Sequence, residues 1–362
     1  MVSALFAASL IGLSMNQVSS ESFGKVGDAQ VTRYTLKNKN GVTVRIMDYG
    51  AIITDWIVPA ANGKLIDIAL GFDSIDGYLK GHPYFGSNAG RVGNRIAKAT
   101  FTLDGKTYKL AANNGPNALH GGLKGFDKVF WKGTPVEGKN AVNFKYRSPD
   151  GEEGYPGNLD VSLTYTLEED NGLKLEFNAT TDKATPINLA HHSYFNLNGH
   201  NSGNVLGHTV KLGASRYTPV DDTLIPTGKI DPVKGTPLDF TSPKKIGDRI
   251  KDLKGDPVGY DHNFVIDREE GDKSLKSAAV VAADSGLELE VLSTEPGVQF
   301  YTGNFLDATN TGKGGIVYKQ YGGFCLEPQH FPDSINQPAF PSVVLRPGET
   351  YRQTTVYRVT AK

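Results

Sequence analysis

LDVSLTYTLEEDNGLKLEFNATT, residues 159–181, decides the fold class. Apolar and polar residues alternate through LDVSLTYTLEE and again through LKLEFNATT, and Asp170-Asn171-Gly172 between them supplies residues that tolerate positive φ. The pattern is strand, tight turn, strand. The same grammar extends along the chain from about residue 25, in VTRYTLKN, VTVRIMDYG, FTLDGKTYKL, AVNFKYRS, LELEVLST, VQFYTGN and YRQTTVYRVT, all rich in Val, Thr, Tyr and Phe. Helical periodicity is scarce, and the best candidate is PKKIGDRIKD at 243–252. Strand follows strand without intervening helices, which predicts an all-β protein, a large antiparallel β-sandwich. No repeat of 20–50 residues and no linker-like shift in composition divides the chain, so residues 21–362 read as one domain.

The charges nearly cancel, with 38 Lys and Arg against 39 Asp and Glu. No broad basic field exists to hold nucleic acid or an acidic membrane surface, and a small neutral partner fits better. Cys325 is the single cysteine, which excludes an intrachain disulfide and a thiolate metal cluster; within GGFCLEP it reads as a small core residue. Residues 1–20 are uncharged, and ALFAASLIGLSM is too short to span a bilayer but long enough for a signal-peptide core. Export is expected, although no Lys or Arg precedes the apolar run; a disordered extension on a cytoplasmic protein is the alternative.

The chemistry-bearing candidates stand in apolar settings. In NLAHHSYFNL, residues 188–197, extended backbone would put His192 with Asn188, Tyr194 and Asn196 on a polar face, and His191 with Leu189, Phe195 and Leu197 on an apolar one. His191 is therefore expected to be structural and His192 functional. Glu327 closes the apolar run GGFCLEP, where an unpartnered acid is costly to bury. GYDHNFVID sets Asp261 beside Asn263 on one face and turns His262 toward the core. Arg91 and Arg95, taken as isolated charges, are expected in solvent, and His120 precedes two glycines in a loop where backbone can approach a ligand. No H-x-H or H-E-x-x-H spacing occurs, and neighbouring histidines diverge on a strand, so no metal site is expected.

Taken in order, GRVGNRIAKATF, NALHGG, NLAHHSYFNL, DDTLIPTG, PLDF, GYDHNFVID, EPGVQFYTGNF and GGFCLEPQHFPDSINQPAFPS resemble the aldose 1-epimerase family, the galactose mutarotases, from about residue 25 to 360. The resemblance implies the galactose mutarotase-like supersandwich, a free aldohexose as substrate and no cofactor. It carries the catalytic histidine and glutamate over to His192 and Glu327, and the sugar-binding positions to Asn94, Arg95, His120, Tyr194, Asp261 and Gln299. Ala190 and His191 replace the family's usual Thr and Asn ahead of the catalytic histidine. A monomer or weak dimer is implied, without membrane or nucleic-acid partners.

Anomer exchange needs a base for the anomeric hydroxyl and an acid for the ring oxygen; an ionised Glu327 and an imidazolium at His192 would fill those roles. Three alternatives compete. A hexose-6-phosphate epimerase would want cations such as Arg91 or Lys98 near the sugar's C6. A glycoside hydrolase would pair Asp261 with Glu327. A non-catalytic sugar-binding module would have no reason to keep both His192 and Glu327.

Overall fold

The computed structural model describes residues 18–362. Three antiparallel sheets make up most of it. The first joins Ser19–Val26, Ala29–Lys37, Thr43–Met47, Ile53–Pro59 and Leu65–Asp67 in chain order. The largest has nine strands, and residues 159–181 lie inside it. Leu159–Leu167 pairs with Gly172–Thr181 in continuous register from Leu159↔Thr181 to Leu167↔Leu173. Tyr351–Ala361, near the end of the chain, inserts between Gly172–Thr181 and Leu287–Ser293 in the middle of this sheet. Burial alternates residue by residue in Leu159–Leu167, as the sequence pattern requires of a sheet with one face against a core.

The third sheet orders Asp231–Pro232, Arg216–Tyr217, Asp261–Val265, Gly297–Tyr301 and Cys325–Gln329. One face supplies Phe264, Val298, Phe300 and Leu326 to a buried cluster that also takes Leu163, Tyr165, Phe177 and Tyr357 from the nine-stranded sheet. Trp56, from the first sheet, joins it with its ring 5.5 Å from that of Phe195 and 6.1 Å from that of Tyr357. The opposite face of Asp261–Val265, Gly297–Tyr301 and Cys325–Gln329 carries polar residues, and it holds the site described below.

Three expectations are corrected. PKKIGDRIKD forms two single 3₁₀ turns, Ile246–Asp248 and Ile250–Asp252, instead of a helix, because its apolar residues Ile246 and Ile250 reach the core from separate turns. The only α-helix among the described residues is Ile75–Leu79. The boundary at residue 21 falls inside a strand, since Ser19 and Ser20 pair with Thr35 and Tyr34; the rest of the N-terminal stretch, 1–17, lies outside the described residues. Arg91 and Arg95 are not solvated but buried, the Arg91 guanidinium donating to the carbonyls of Pro156 and Gly157 and to the Thr185 and Ser148 hydroxyls. A delocalised cation with five donors can be buried where several oxygens converge on it.

Candidate active site

His192 ends the short strand Ala190–His192, which pairs with Ser87–Ala89. The neighbouring histidines part as alternation predicts. Asn88 donates through Nδ2 to the Ala51 carbonyl and the Tyr165 hydroxyl, so its Oδ1 accepts from His191 Nδ1 at 3.1 Å, and His191 Nε2 accepts from the Ser193 hydroxyl at 2.7 Å. His191 is thus spent on packing and hydrogen bonding. Burial pushes its pKa down to about 3 and keeps it neutral.

His192 faces the other way, into a cavity of about 220 Å³ lined by Asn94, Arg95, His120, Tyr194, Asp261 and Glu327 among others. Its Nε2 lies 3.6 Å from Glu327 Oε1, and its Nδ1 faces the Cys325 thiol at 3.6 Å. Glu327 comes from Cys325–Gln329 and is buried; its Oε2 has no partner among the described residues. Oε1, beside His192 in the cavity wall, is the oxygen placed to meet a ligand hydroxyl.

Beside His192, whose ring centroid lies 5.1 Å from that of His120, Asn94 and His120 clamp each other. The Asn94 N–H donates to His120 Nδ1 at 3.1 Å, and the His120 N–H donates to the Asn94 carbonyl at 3.0 Å. Asn94, His120 and Tyr84 all hold positive φ, at 59°, 48° and 64°. Three strained non-glycine residues around one cavity indicate that the fold spends stability to aim these side chains. The two glycines after His120 serve a different end from the one expected. A Cβ at Gly121 would be driven into the Gly90 carbonyl, and one at Gly122 into the Glu153 carboxylate, so they seat the loop against the protein and not against a ligand.

Arg95 donates from Nε to Asn114 Oδ1 at 3.0 Å and lies 3.6 Å from Asp261 Oδ2, while Asp261 Oδ1 accepts from Gln299 Nε2 at 2.7 Å. Gln299 does not line the cavity; it stands behind Asp261 and opposite Glu327 in the sheet. His262, expected in the core, is only half-buried, lines an adjoining surface cleft and accepts the Asp261 N–H at Nδ1. The sequence reading missed Pro83, Tyr84, Asn114, Leu119, Tyr301 and Phe305, which complete the lining. Tyr301 and Phe305 lie within EPGVQFYTGNF, but aromatic residues in a strand-rich chain give no signal that separates cavity wall from core. Phe305 is 52% exposed at the mouth, with its ring nearly parallel to that of Tyr301 at 6.3 Å.

Burial sets the protonation of the site. It lowers the His192 pKa to about 4 and raises that of Glu327 well above the ordinary carboxylate range, the latter reinforced by Asp261. The expected pair of imidazolium and carboxylate is therefore corrected for the unliganded cavity. The two groups share one transferable proton, and desolvation places it on the carboxyl. Burial likewise holds His120 far below its usual pKa. With Nδ1 accepting from Asn94, neutral His120 presents Nε2–H to the cavity.

That tautomer also bears on a metal. His120, His192 and Glu327 offer ligand atoms within 4.8 Å of one another, the one such group among the described residues. A cation would need a bare Nε2 on His120, which the Asn94 hydrogen bond assigns a proton. The donor set does not fit.

A sequence profile described as aldose 1-epimerase matches residues 32–358. The chain belongs to the aldose 1-epimerase family. Galactose mutarotases from Sus scrofa and Homo sapiens are each 48% identical to it, over 94% and 95% of this chain and 98% and 99% of theirs. The aldose 1-epimerase of Escherichia coli K12 is 38% identical over 91% of this chain and 95% of its own. Among solved structures, a GalM/aldose epimerase homologue from C. elegans superposes with a TM-score of 0.85 at 33% identity, covering 95% of this chain and 99% of that one. The fold is thus the antiparallel sandwich of this family, and the chain is an isomerase of the aldose 1-epimerase type.

Proposed function

We propose that this protein interconverts the α- and β-anomers of free aldohexoses, galactose and glucose among them, with His192 and Glu327 as the proton-transfer pair. The observation that carries this reading is the buried His192–Glu327 pair, 3.6 Å apart through Glu327 Oε1, lining a sugar-sized cavity.

In ring opening one group takes the proton of the anomeric hydroxyl as the other supplies one to the ring oxygen, and the C1–O5 bond breaks to leave an aldehyde. Rotation about C1–C2 and reversal of both transfers close the other anomer. Proton count is conserved, and no oxidant or reductant takes part. Each transfer contributes about 10²–10⁴-fold. With Glu327 ionised it is the base and His192 the acid. The neutral resting pair favours the opposite assignment, in which Glu327 protonates the ring oxygen and His192 receives the anomeric proton, and the same single proton serves both. The state of the His192 ring separates them: ¹⁵N NMR of the galactose-saturated enzyme shows an imidazolium in the first case and a neutral imidazole in the second.

Arg95, Asp261, Asn94 and His120 Nε2–H are assigned to the sugar hydroxyls, with Gln299 bracing Asp261. Arg95 is the one cation lining the cavity, and it is engaged by Asp261; Arg91 is consumed by backbone carbonyls and Lys98 is exposed. This favours a free sugar over a hexose 6-phosphate. Asp261, held by Arg95 and Gln299, faces hydroxyls and is no second catalytic carboxyl, which argues against glycoside hydrolysis.

Polarimetry of freshly dissolved α-galactose and α-glucose tests the proposal. Catalysed decay to the equilibrium rotation is expected, with no cleavage of nitrophenyl galactosides; decay at the buffer rate overturns it. Export through residues 1–20 and a monomeric or weakly dimeric state are proposed on the sequence reading and family resemblance alone; N-terminal sequencing and sedimentation test them.

A further inference from the structure

Behind the cavity, the polar face of the third sheet continues as a row of buried side chains. Asn263 pairs across the strands with Gln299, and Gln299 with Glu327. Gln329 follows two residues on, pointing the same way and opposite Gly297. The four are 1%, 3%, 2% and 0% exposed. Each carries side-chain atoms with no protein partner: Asn263 Oδ1, Gln299 Oε1, Glu327 Oε2, and both Oε1 and Nε2 of Gln329. Directly cross-strand side chains sit about 5 Å apart at Cβ, so these groups face one another. A Cβ at Gly297 would lie 2.5 Å from Asn263 Oδ1 and 2.9 Å from the Phe331 ring, so only glycine lets these side chains pack against this strand. Beyond Gly297, Val265, Phe331 and Phe340 close the row with an apolar plug.

Counting donors against acceptors identifies the ligand. Four side-chain oxygens and the Gln329 Nε2 lack protein partners, and the single proton on the Glu327 carboxyl cannot serve them all. Buried polar atoms left unmet are costly, and ordered water, with two hydrogens to give, is the small ligand that meets such a deficit. We infer that a buried water cluster occupies this row and that Gln329, which does not line the sugar cavity, is a positioning residue that holds the inner oxygen of Glu327 through it. Gln329 Nε2, acting through water, supplies the Glu327 carboxyl with a donor it otherwise lacks and fixes which oxygen turns toward the sugar. Gln299 links the row to Asp261, so hydroxyl recognition and the proton-transfer group share one scaffold. This inference rests on the assignment of Glu327 to proton transfer.

The test pairs a high-resolution crystal structure of the full chain with the variants Gln329→Met, similar in shape but without the amide, and Gln329→Asn, which keeps it. Water hydrogen-bonded to both Glu327 and Gln329 is expected in the wild type. In Gln329→Met we expect kcat for galactose to fall about tenfold with KM little changed. The alkaline limb of kcat/KM should move to higher pH, because the carboxylate loses a donor, and Gln329→Asn should restore most of both. A row without ordered water, or a Gln329→Met enzyme with wild-type kcat and pH limbs, overturns the inference. So does a fall in kcat that Gln329→Asn does not reverse and that leaves the limbs in place, which marks a structural role. If Gln329→Met does not fold, the crystal structure and the limbs of Gln329→Asn decide. If the wild-type protein itself fails to speed anomer exchange, the preceding proposal falls instead, and the water remains a separate observation.

Discussion

At the scale of single residues, Glu327 is held where its charge is unwelcome. A carboxyl with a raised pKa in the folded protein binds a proton that the unfolded chain releases, so its contribution to stability is present at low pH and lost as pH rises through the window between the ordinary value and the raised one. At neutral pH, Glu327→Gln should therefore abolish most of the activity, by about 10²-fold or more, while raising thermal stability by about 1–2 kcal/mol. Polarimetry and thermal melts read the two effects, and a variant that is both inactive and less stable would contradict the account of burial. Arg95→Met should act differently, raising KM for galactose more than it lowers kcat, since Arg95 is placed to hold hydroxyls and to fix Asp261. Steady-state kinetics on the two anomers checks that split. The sequence separated His191 from His192 by alternation alone, and the structure keeps that separation even though regular strand covers only Ala190–His192. It could not reveal that Arg91 is buried, because the oxygens that receive it come from residues 148, 156, 157 and 185.

Among elements, the His120 loop shows how backbone strain is kept in place. Gly121 has φ 90° and lies tight against the Gly90 carbonyl, in the segment that leads to Asn94 and Arg95. Gly121→Ala would push these two stretches apart and loosen the Asn94–His120 clamp. Loss of at least about 2 kcal/mol of stability and a marked rise in KM are expected, measured by denaturant unfolding and kinetics. The strands around 159–181 were legible because each needs only its neighbour across a hairpin. The segment 243–252 departs from the helix its sequence suggests because a short run with two isoleucines fits a helix or two tight turns equally well, and contact with the core chose the turns.

For the molecule as a whole, pH should act through groups that share one core and one cavity. The His192–Glu327 pair works with one shared proton, so kcat/KM should trace a bell. The acid limb marks uptake of a second proton, governed by His192 near pH 4, and the alkaline limb marks loss of the shared proton from a carboxyl well above its ordinary range. A profile whose acid limb lies near 6.5 would restore the imidazolium reading. Stability should fall separately below about pH 6.5. His191 and His208 are buried neutral, with pKa values pushed by burial to about 3 and about 4, so the unfolded chain takes up protons first and each unit of acidification through that window favours unfolding. Thermal melts from pH 7 to 4 check this slope.

The sequence by itself determined the strand pattern, the antiparallel class and, through motifs in fixed order, His192, Glu327 and several but not all of the residues that line the cavity. Alternation and side-chain chemistry are local, and a chain displays them before it folds. The tertiary structure alone decided the protonation of the pair, the tautomer of His120, the company Arg91 keeps and the polar row behind Glu327. Each of these depends on how completely water is excluded and on which distant strand supplies the neighbouring atom, and neither is written in any single stretch of residues.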